Sequence, residues 1–264
     1  MSALPTIMVA PNGARLKRSD HPSLPVSLNA IIDTALNCMK AGADGIHAHV
    51  RDANEVHVLD AALNLSMLRA LAKEAPELYV QITTEAVGKY TPAQQRELVE
   101  AVQPRAVSVA LREMTSVGNT GEVTQFYHEQ KRANVDVQHI LYDVNDIAAL
   151  AALRERNIVP AGNIQVLLVL GRYANTQIAK PEDLNTPLEA LNKLIPDADW
   201  AVCAFGPNET ACLTAAYAKG GKIRVGFENN LYNADGSLAK DNAERVAEVK
   251  TAISRINSPA ACKH

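Results

Sequence analysis

The sequence predicts an α/β fold in which eight parallel strands, each followed by a helix, close into a (β/α)8 TIM barrel over residues 1–264. Three observations lead there. Strand-like and helix-like segments alternate along the whole chain, about eight such units fit into 264 residues, and no Pro/Gly/Ser-rich linker divides them. A doubly wound open sheet is the rival. It calls for a Gly-rich phosphate turn after the first strand, and Pro11-Asn12-Gly13 does not fit G-x-G-x-x-G.

Taken in order, the first apolar run is Thr6–Ala10, ending in the turn-rich loop Pro11-Asn12-Gly13-Ala14-Arg15. Leu28, Ile31, Ile32, Ala35, Leu36 and Met39 have helical spacing between a Ser27 cap and a Gly42 stop. The second strand, Gly45–His49, carries His47 and His49. Helix Ala61–Lys73, strand Tyr79–Thr83, helix Pro92–Val102 behind a Thr91 cap, and strand Ala106–Leu111 follow. Next come helix 122–134, strand Val137–Tyr142, helix Asp146–Arg156, strand Ile164–Leu170, helix Pro187–Leu194, strand Trp200–Phe205 and helix Glu209–Lys219. Strand Lys222–Gly226 and helix Asn242–Ile256 close the series.

Hydrophobic content of 47% fits a full core, and 4% aromatic content assigns that core to Ala, Val, Leu and Ile. The formal charge of −3 comes without a basic or acidic block, which removes the electrostatic case for a nucleic-acid or membrane-surface partner. No apolar run reaches the roughly 20 residues of a membrane helix. Cys38, Cys203, Cys212 and Cys262 are scattered and contain no C-x-x-C pair, so they read as reduced thiols of a cytoplasmic protein. A homo-oligomer is expected.

Barrel active sites lie at the C-terminal ends of the strands. Side chains in a strand alternate faces, so His47 and His49 point the same way, with Cα atoms roughly 6–7 Å apart, a spacing that suits one shared metal ion. The bland alternative is a hydrogen-bonded core pair. On the eighth strand Arg224, Gly226 and Glu228 share one face by alternation. Glu228 there completes a His, His, Glu set and Arg224 holds an anionic group bidentately, unless the two form only a salt bridge at the barrel end. Gln81, Thr83 and Ser108 face inward, where hydroxyls either satisfy neighbours or donate to an oxygen that gains charge. His57, His128, His139 and His264 read as structural or surface residues, and His21 lies in a loop without a specific signal. The Gly171-Arg172 and Phe205-Gly206-Pro207-Asn208 turns follow strands six and seven, where barrels often bind phosphate, but carry no fingerprint of their own.

Together, Ala10-Pro11-Asn12-Gly13-Ala14, His21-Pro22-Ser23-Leu24-Pro25, His47-x-His49-Val50-Arg51-Asp52 and Arg224-Val225-Gly226-x-Glu228-x-Asn230 resemble the β-keto acid cleavage enzymes, across nearly the whole chain. The resemblance implies a zinc-dependent barrel, with another divalent transition metal as a substitute, that condenses a β-keto acid with acetyl-CoA as co-substrate, giving acetoacetate and a new CoA thioester. It implies metal ligation by His47, His49 and Glu228, a substrate-side role for Arg224, and hydroxyl roles for Thr83 and Ser108. Asn12, Arg15, Glu85, Arg112 and Asn229 are the expected substrate contacts.

Three departures from the family pattern bear on that reading. Asn229 stands where the family has Asp, and an amide is no general base. Arg15 stands where the amino-substrate enzyme has an acidic residue, which favours a second anionic group over an amine. Thr84-Glu85 replaces a Gly-Gly pair, and Arg112-Glu113 adds bulk and charge after the fourth strand. The other classes considered are a metal-dependent hydrolase of the amidohydrolase type and a non-catalytic barrel that binds metal and metabolite.

Overall fold

Eight parallel strands pair in sequence order and the last pairs with the first, so the sheet in the computed structural model is a closed barrel. The structure describes residues 2–116, 118, 120–172 and 178–257. Cys262 and His264 lie outside the described residues. The strands are β1 (Ile7–Val9), β2 (Gly45–Ala48), β3 (Tyr79–Thr83), β4 (Ala106–Ala110), β5 (Asp136–Leu141), β6 (Ile164–Leu170), β7 (Ala198–Ala204) and β8 (Lys222–Val225). The helices are α1 (Leu28–Ala41), α2 (Ala61–Glu74), α3 (Pro92–Val102), α4 (Leu111–Met114), α5 (Thr120–Arg132), α6 (Val144–Glu155), α7 (Asn185–Leu194), α8 (Glu209–Ala218) and α9 (Asn242–Asn257).

Local chemistry sets the helix ends. Ser27 caps α1 by accepting from the Ala30 amide, and Gly42 closes it in the left-handed region with its N–H on the Cys38 and Met39 carbonyls. Thr91 and Gln94 form a reciprocal capping box at α3, with Pro92 in the first turn. α4 is the element that strand and helix spacing does not predict, a single turn following β4 directly.

The outer faces of the strands bury Ile46, Ile82, Val107, Val109, Val166, Leu168, Ile223 and Val225 against the helices in one continuous cluster. Each such side chain contributes about 1.5–3 kcal/mol on leaving water. The inward positions of β2, β3 and β5 carry polar side chains, with His47 in register with Gln81 and Gln81 donating to Gln138 at 3.1 Å, while Leu167, Val169, Ala201 and Cys203 form an apolar cluster from β6 and β7. Among the described residues no helix is long and apolar enough to cross a membrane. Cys38, Cys203 and Cys212 are buried free thiols.

Candidate active site and metal centre

β2 aims His47 and His49 to one side, as the alternation requires. His47 Nδ1 meets Gln81 Oε1 at 2.9 Å, so it holds the ring proton there and leaves Nε2 with a free lone pair. The two Nε2 atoms are 3.1 Å apart. His49 lies one residue past the strand, where Asn12 clamps its backbone. The Asn12 amide donates to the His49 carbonyl at 2.8 Å and to the Pro25 carbonyl at 2.9 Å, and its oxygen accepts from the His49 N–H at 3.2 Å. Arg51 in turn donates to the carbonyls of Asn12 at 3.0 Å and Gly13 at 2.6 Å, fixing the first loop.

Glu228 arrives by a different route from strand alternation. β8 ends at Val225, and the chain turns at Gly226, whose φ is +140° and where a Cβ would lie 2.6 Å from the Ala10 carbonyl oxygen. Gly226 therefore allows close approach to the end of β1. The turn is held from behind: the Gly226 N–H donates to Glu209 at 3.1 Å, the Phe227 N–H to Asn242 at 2.9 Å, and the Glu228 N–H to the Ala10 carbonyl at 3.0 Å. Fully buried Arg245 pairs with Glu209 at 2.9 Å. Gly13, at φ +54°, packs against Glu228 so closely that a Cβ would sit 2.7 Å from its Cγ.

The Arg224 salt bridge and the candidate ligand position fall on different oxygens of Glu228. Oε1 accepts from Arg224 Nη2 at 3.0 Å, while Oε2 lies 3.7 Å from His47 Nε2 and 3.5 Å from His49 Nε2 and has no hydrogen-bond donor. Burial raises the Glu228 pKa, but opposing interactions led by the Arg224 guanidinium outweigh it and hold the carboxyl well below its usual range. Burial, followed by Arg224, pushes His47 well below its ordinary value, so the imidazole is neutral, the form that ligates metal.

A triangle with sides of 3.1, 3.5 and 3.7 Å has a circumcentre about 2.0 Å from each corner, which matches zinc–nitrogen and zinc–oxygen distances. Three ligand atoms, one an orphaned buried carboxylate oxygen, thus fit a divalent ion with an open position.

The pocket above this triangle is lined by Asn12, Arg15, Thr83, Glu85 and Arg224, with Tyr142, Arg172 and Phe205 beside them. Arg224 is buried, and its Nε and Nη1 have no partner, leaving guanidinium donors for an anion. Thr83 Oγ1 accepts from the Glu85 N–H at 3.0 Å, which leaves its own proton to donate.

Three expected site residues, Arg112, Ser108 and Asn229, lie outside the pocket lining, and Asn12 lines it with its amide engaged. Asn12 reaches the pocket wall with its amide occupied by the backbone of His49 and Pro25, which braces His49. Arg112 does not line the pocket. The α4 turn breaks the strand period and carries its guanidinium to Asp146 at 2.6 Å and to Asp143, over the Tyr142 ring. Ser108 is in register with Thr83, but its Oγ is buried without a partner, and Ala110 is the β4 residue that lines the pocket. Asn229 is buried outside the lining set with both amide atoms unpaired, and its carbonyl accepts from the Gly206 N–H.

His57, read as structural or surface, is bonded to the Glu85 carbonyl at 3.0 Å, and burial lowers its pKa to about 3; His21, which carried no specific signal, is bonded to the Ala239 carbonyl at 2.8 Å. Arg172 is the lining residue whose role the sequence does not reveal, because nothing in the Gly171-Arg172 turn marks its direction.

The family model described as beta-keto acid cleavage enzyme matches residues 6–263. The chain belongs to that family. This beta-keto acid cleavage enzyme family member is 23% identical over 266 residues to the 3-oxoadipate:acetyl-CoA acetyltransferase of Cupriavidus necator, covering 97% of this chain and 90% of that one. It is 26% identical to the 3,5-dioxohexanoate:acetyl-CoA acetone transferase of Paraburkholderia graminis, covering 94% and 89%. Among solved structures, the binary complex of ObcA with oxaloacetate superposes with a TM-score of 0.72 at 15% identity, over 90% of this chain and 65% of that longer one, a likeness of fold.

Proposed function

We propose that this protein exchanges acyl groups between a β-keto acid and acetyl-CoA, releasing acetoacetate and the CoA thioester of the remaining acyl chain. The observation that carries the reading is the His47, His49, Glu228 triangle beside a buried Arg224 with two unpaired donors. Family membership and the acetyl-CoA-using relatives support it.

The bond changes both occur at C2 of the substrate. C2 joins the acetyl carbonyl carbon as CoA thiolate leaves, and the C2–C3 bond then breaks as the thiolate adds to the C3 carbonyl. The proton that C2 loses in the first change returns to it in the second. A zinc ion held by His47, His49 and Glu228 would supply Lewis-acid polarisation of the keto oxygen.

The chain's own groups do the rest. Arg224 takes the substrate carboxylate through its unpaired guanidinium donors and fixes C2 beside the triangle. Thr83 donates its hydroxyl proton to the oxygen that gains charge as the enolate forms. Gln81 keeps His47 in the tautomer that leaves Nε2 free.

The test is a panel of β-keto acids incubated with acetyl-CoA and zinc-loaded protein, followed by acetoacetate release. Formation that needs all three components is expected. Free CoA or acetate without acetoacetate would reject the reading in favour of hydrolysis.

A further inference from the structure

Resting on the activity proposed above, we infer that the substrate is a β-keto dicarboxylate whose second carboxylate is gripped by Arg172 and Arg15 at the rim of the pocket. The pocket holds two separate charge clusters. At the base, Arg224 faces Glu228, with side-chain exposures of 5% and 14%. At the rim, Arg172 and Arg15 converge on one oxygen of Glu85, with Nη2 atoms 3.5 and 3.8 Å from Oε1.

His49 stands between them: its Nε2 faces Glu228, and its Nδ1 lies 3.9 Å from the other Glu85 oxygen. One imidazole ring and one carboxylate therefore separate the clusters, a span that a short carbon chain bridges.

The rim is unbalanced. Two guanidinium groups share one carboxylate, at distances too long for tight pairing, and the pocket lining as a whole carries Arg15, Arg172 and Arg224 against Glu85 and Glu228. A second substrate carboxylate makes the rim two cations to two anions, whereas a distal ammonium would meet two like charges.

Arg172 is the better placed of the pair. Its side chain is 16% exposed and its guanidinium lies over the Phe205 ring at 5.0 Å, a contact that steadies it at the pocket wall. Arg15 is 61% exposed and contributes mainly long-range attraction. Glu85 occupies the place of the missing anion and competes for both arginines.

Two measurements on the zinc-loaded protein separate this inference from the activity it rests on. Calorimetric binding compares adipate with hexanoate, neither of which can react. Turnover compares a β-keto dicarboxylate, a β-keto monocarboxylate of equal length and an amine-bearing β-keto acid.

Adipate is expected to bind about 100-fold more tightly than hexanoate, with that ratio falling below about 10 in Arg172→Met and largely restored in Arg172→Lys. Glu85→Gln is expected to tighten adipate further, because the internal competitor is gone. Equal binding of the two acids, or an adipate preference untouched by Arg172→Met, overturns the inference even if the monocarboxylate turns over well. Acetoacetate from no member of the panel rejects the proposed activity, while the binding ratio still decides the clamp.

Discussion

Replacing Asn12 with alanine isolates the strut that sets the metal triangle. Asn12 is fully buried, and its amide makes three hydrogen bonds, two of them to the backbone of His49. Each is worth about 1 kcal/mol net, so their loss amounts to about 3 kcal/mol, with the orphaned His49 N–H and C=O adding to it. For a chain of this size that corresponds to a fall in Tm of about 6–12 °C. A rotation of the His49 backbone also pulls one corner from a triangle whose sides differ by less than 1 Å, and loss of such outer-shell support costs metal affinity about 10–100-fold. Urea denaturation of the metal-free protein measures the first effect, and zinc competition against a chromophoric chelator measures the second. Asn12→Asp keeps the acceptor for the His49 N–H but loses both donors, and falls between wild type and alanine. An alanine variant with wild-type zinc affinity and a raised KM for the β-keto acid would refute the reasoning and return Asn12 to direct substrate contact.

Other predictions follow from the same geometry. Glu228→Gln weakens zinc binding by at least about 100-fold in the chelator assay, since a neutral amide replaces the anionic ligand. Arg245→Met costs about 3–5 kcal/mol in urea denaturation, because it leaves Glu209 buried without its partner, and it also lowers zinc affinity by loosening the Gly226–Glu228 turn; Arg245→Lys recovers part of both. His139, buried on β5, has its pKa lowered by burial to about 4, against about 6.5 when unfolded, so the unfolded chain takes up a proton that the folded one refuses. Stability is therefore lost as pH falls from about 6.5 towards 4, by about 2 kcal/mol at pH 5, and His139→Leu removes that part of the slope. A pH profile of urea midpoints unchanged by His139→Leu would show that this residue is not responsible.

The barrel was legible because strand and helix periods differ and both recur to the end of the chain. Capping residues such as Ser27, Thr91 and Gln94 mark helix ends within a residue. His47 and His49 were legible for the same reason, since a period of two fixes which side chains share a face. That rule holds only while the strand lasts. Past Val225 it still brings Glu228 to the histidines, but the side chain reaches them through a turn built on Gly226 and braced by Glu209, Asn242 and Arg245, residues distant in sequence. Past Ala110 it fails, because α4 starts at once and sends Arg112 to the acidic start of α6. Arg172 has the converse history: a residue after a strand with no motif around it, placed at the pocket rim by the path of the chain. Polar residues in loops such as Asn12 also read equally well as struts or as contacts, and only their hydrogen-bond partners tell them apart.

The central claim is that C2 of a β-keto acid changes partners at the site built by His47, His49, Glu228 and Arg224. Acetyl-CoA labelled with 13C in both acetyl carbons, mixed with a β-keto dicarboxylate and zinc-loaded protein, puts that claim directly to NMR. Acetoacetate labelled at C3 and C4 only is expected, together with an unlabelled new acyl-CoA, with loss of both products in Arg224→Met. Label appearing in free acetate, with the β-keto acid unchanged, would contradict it.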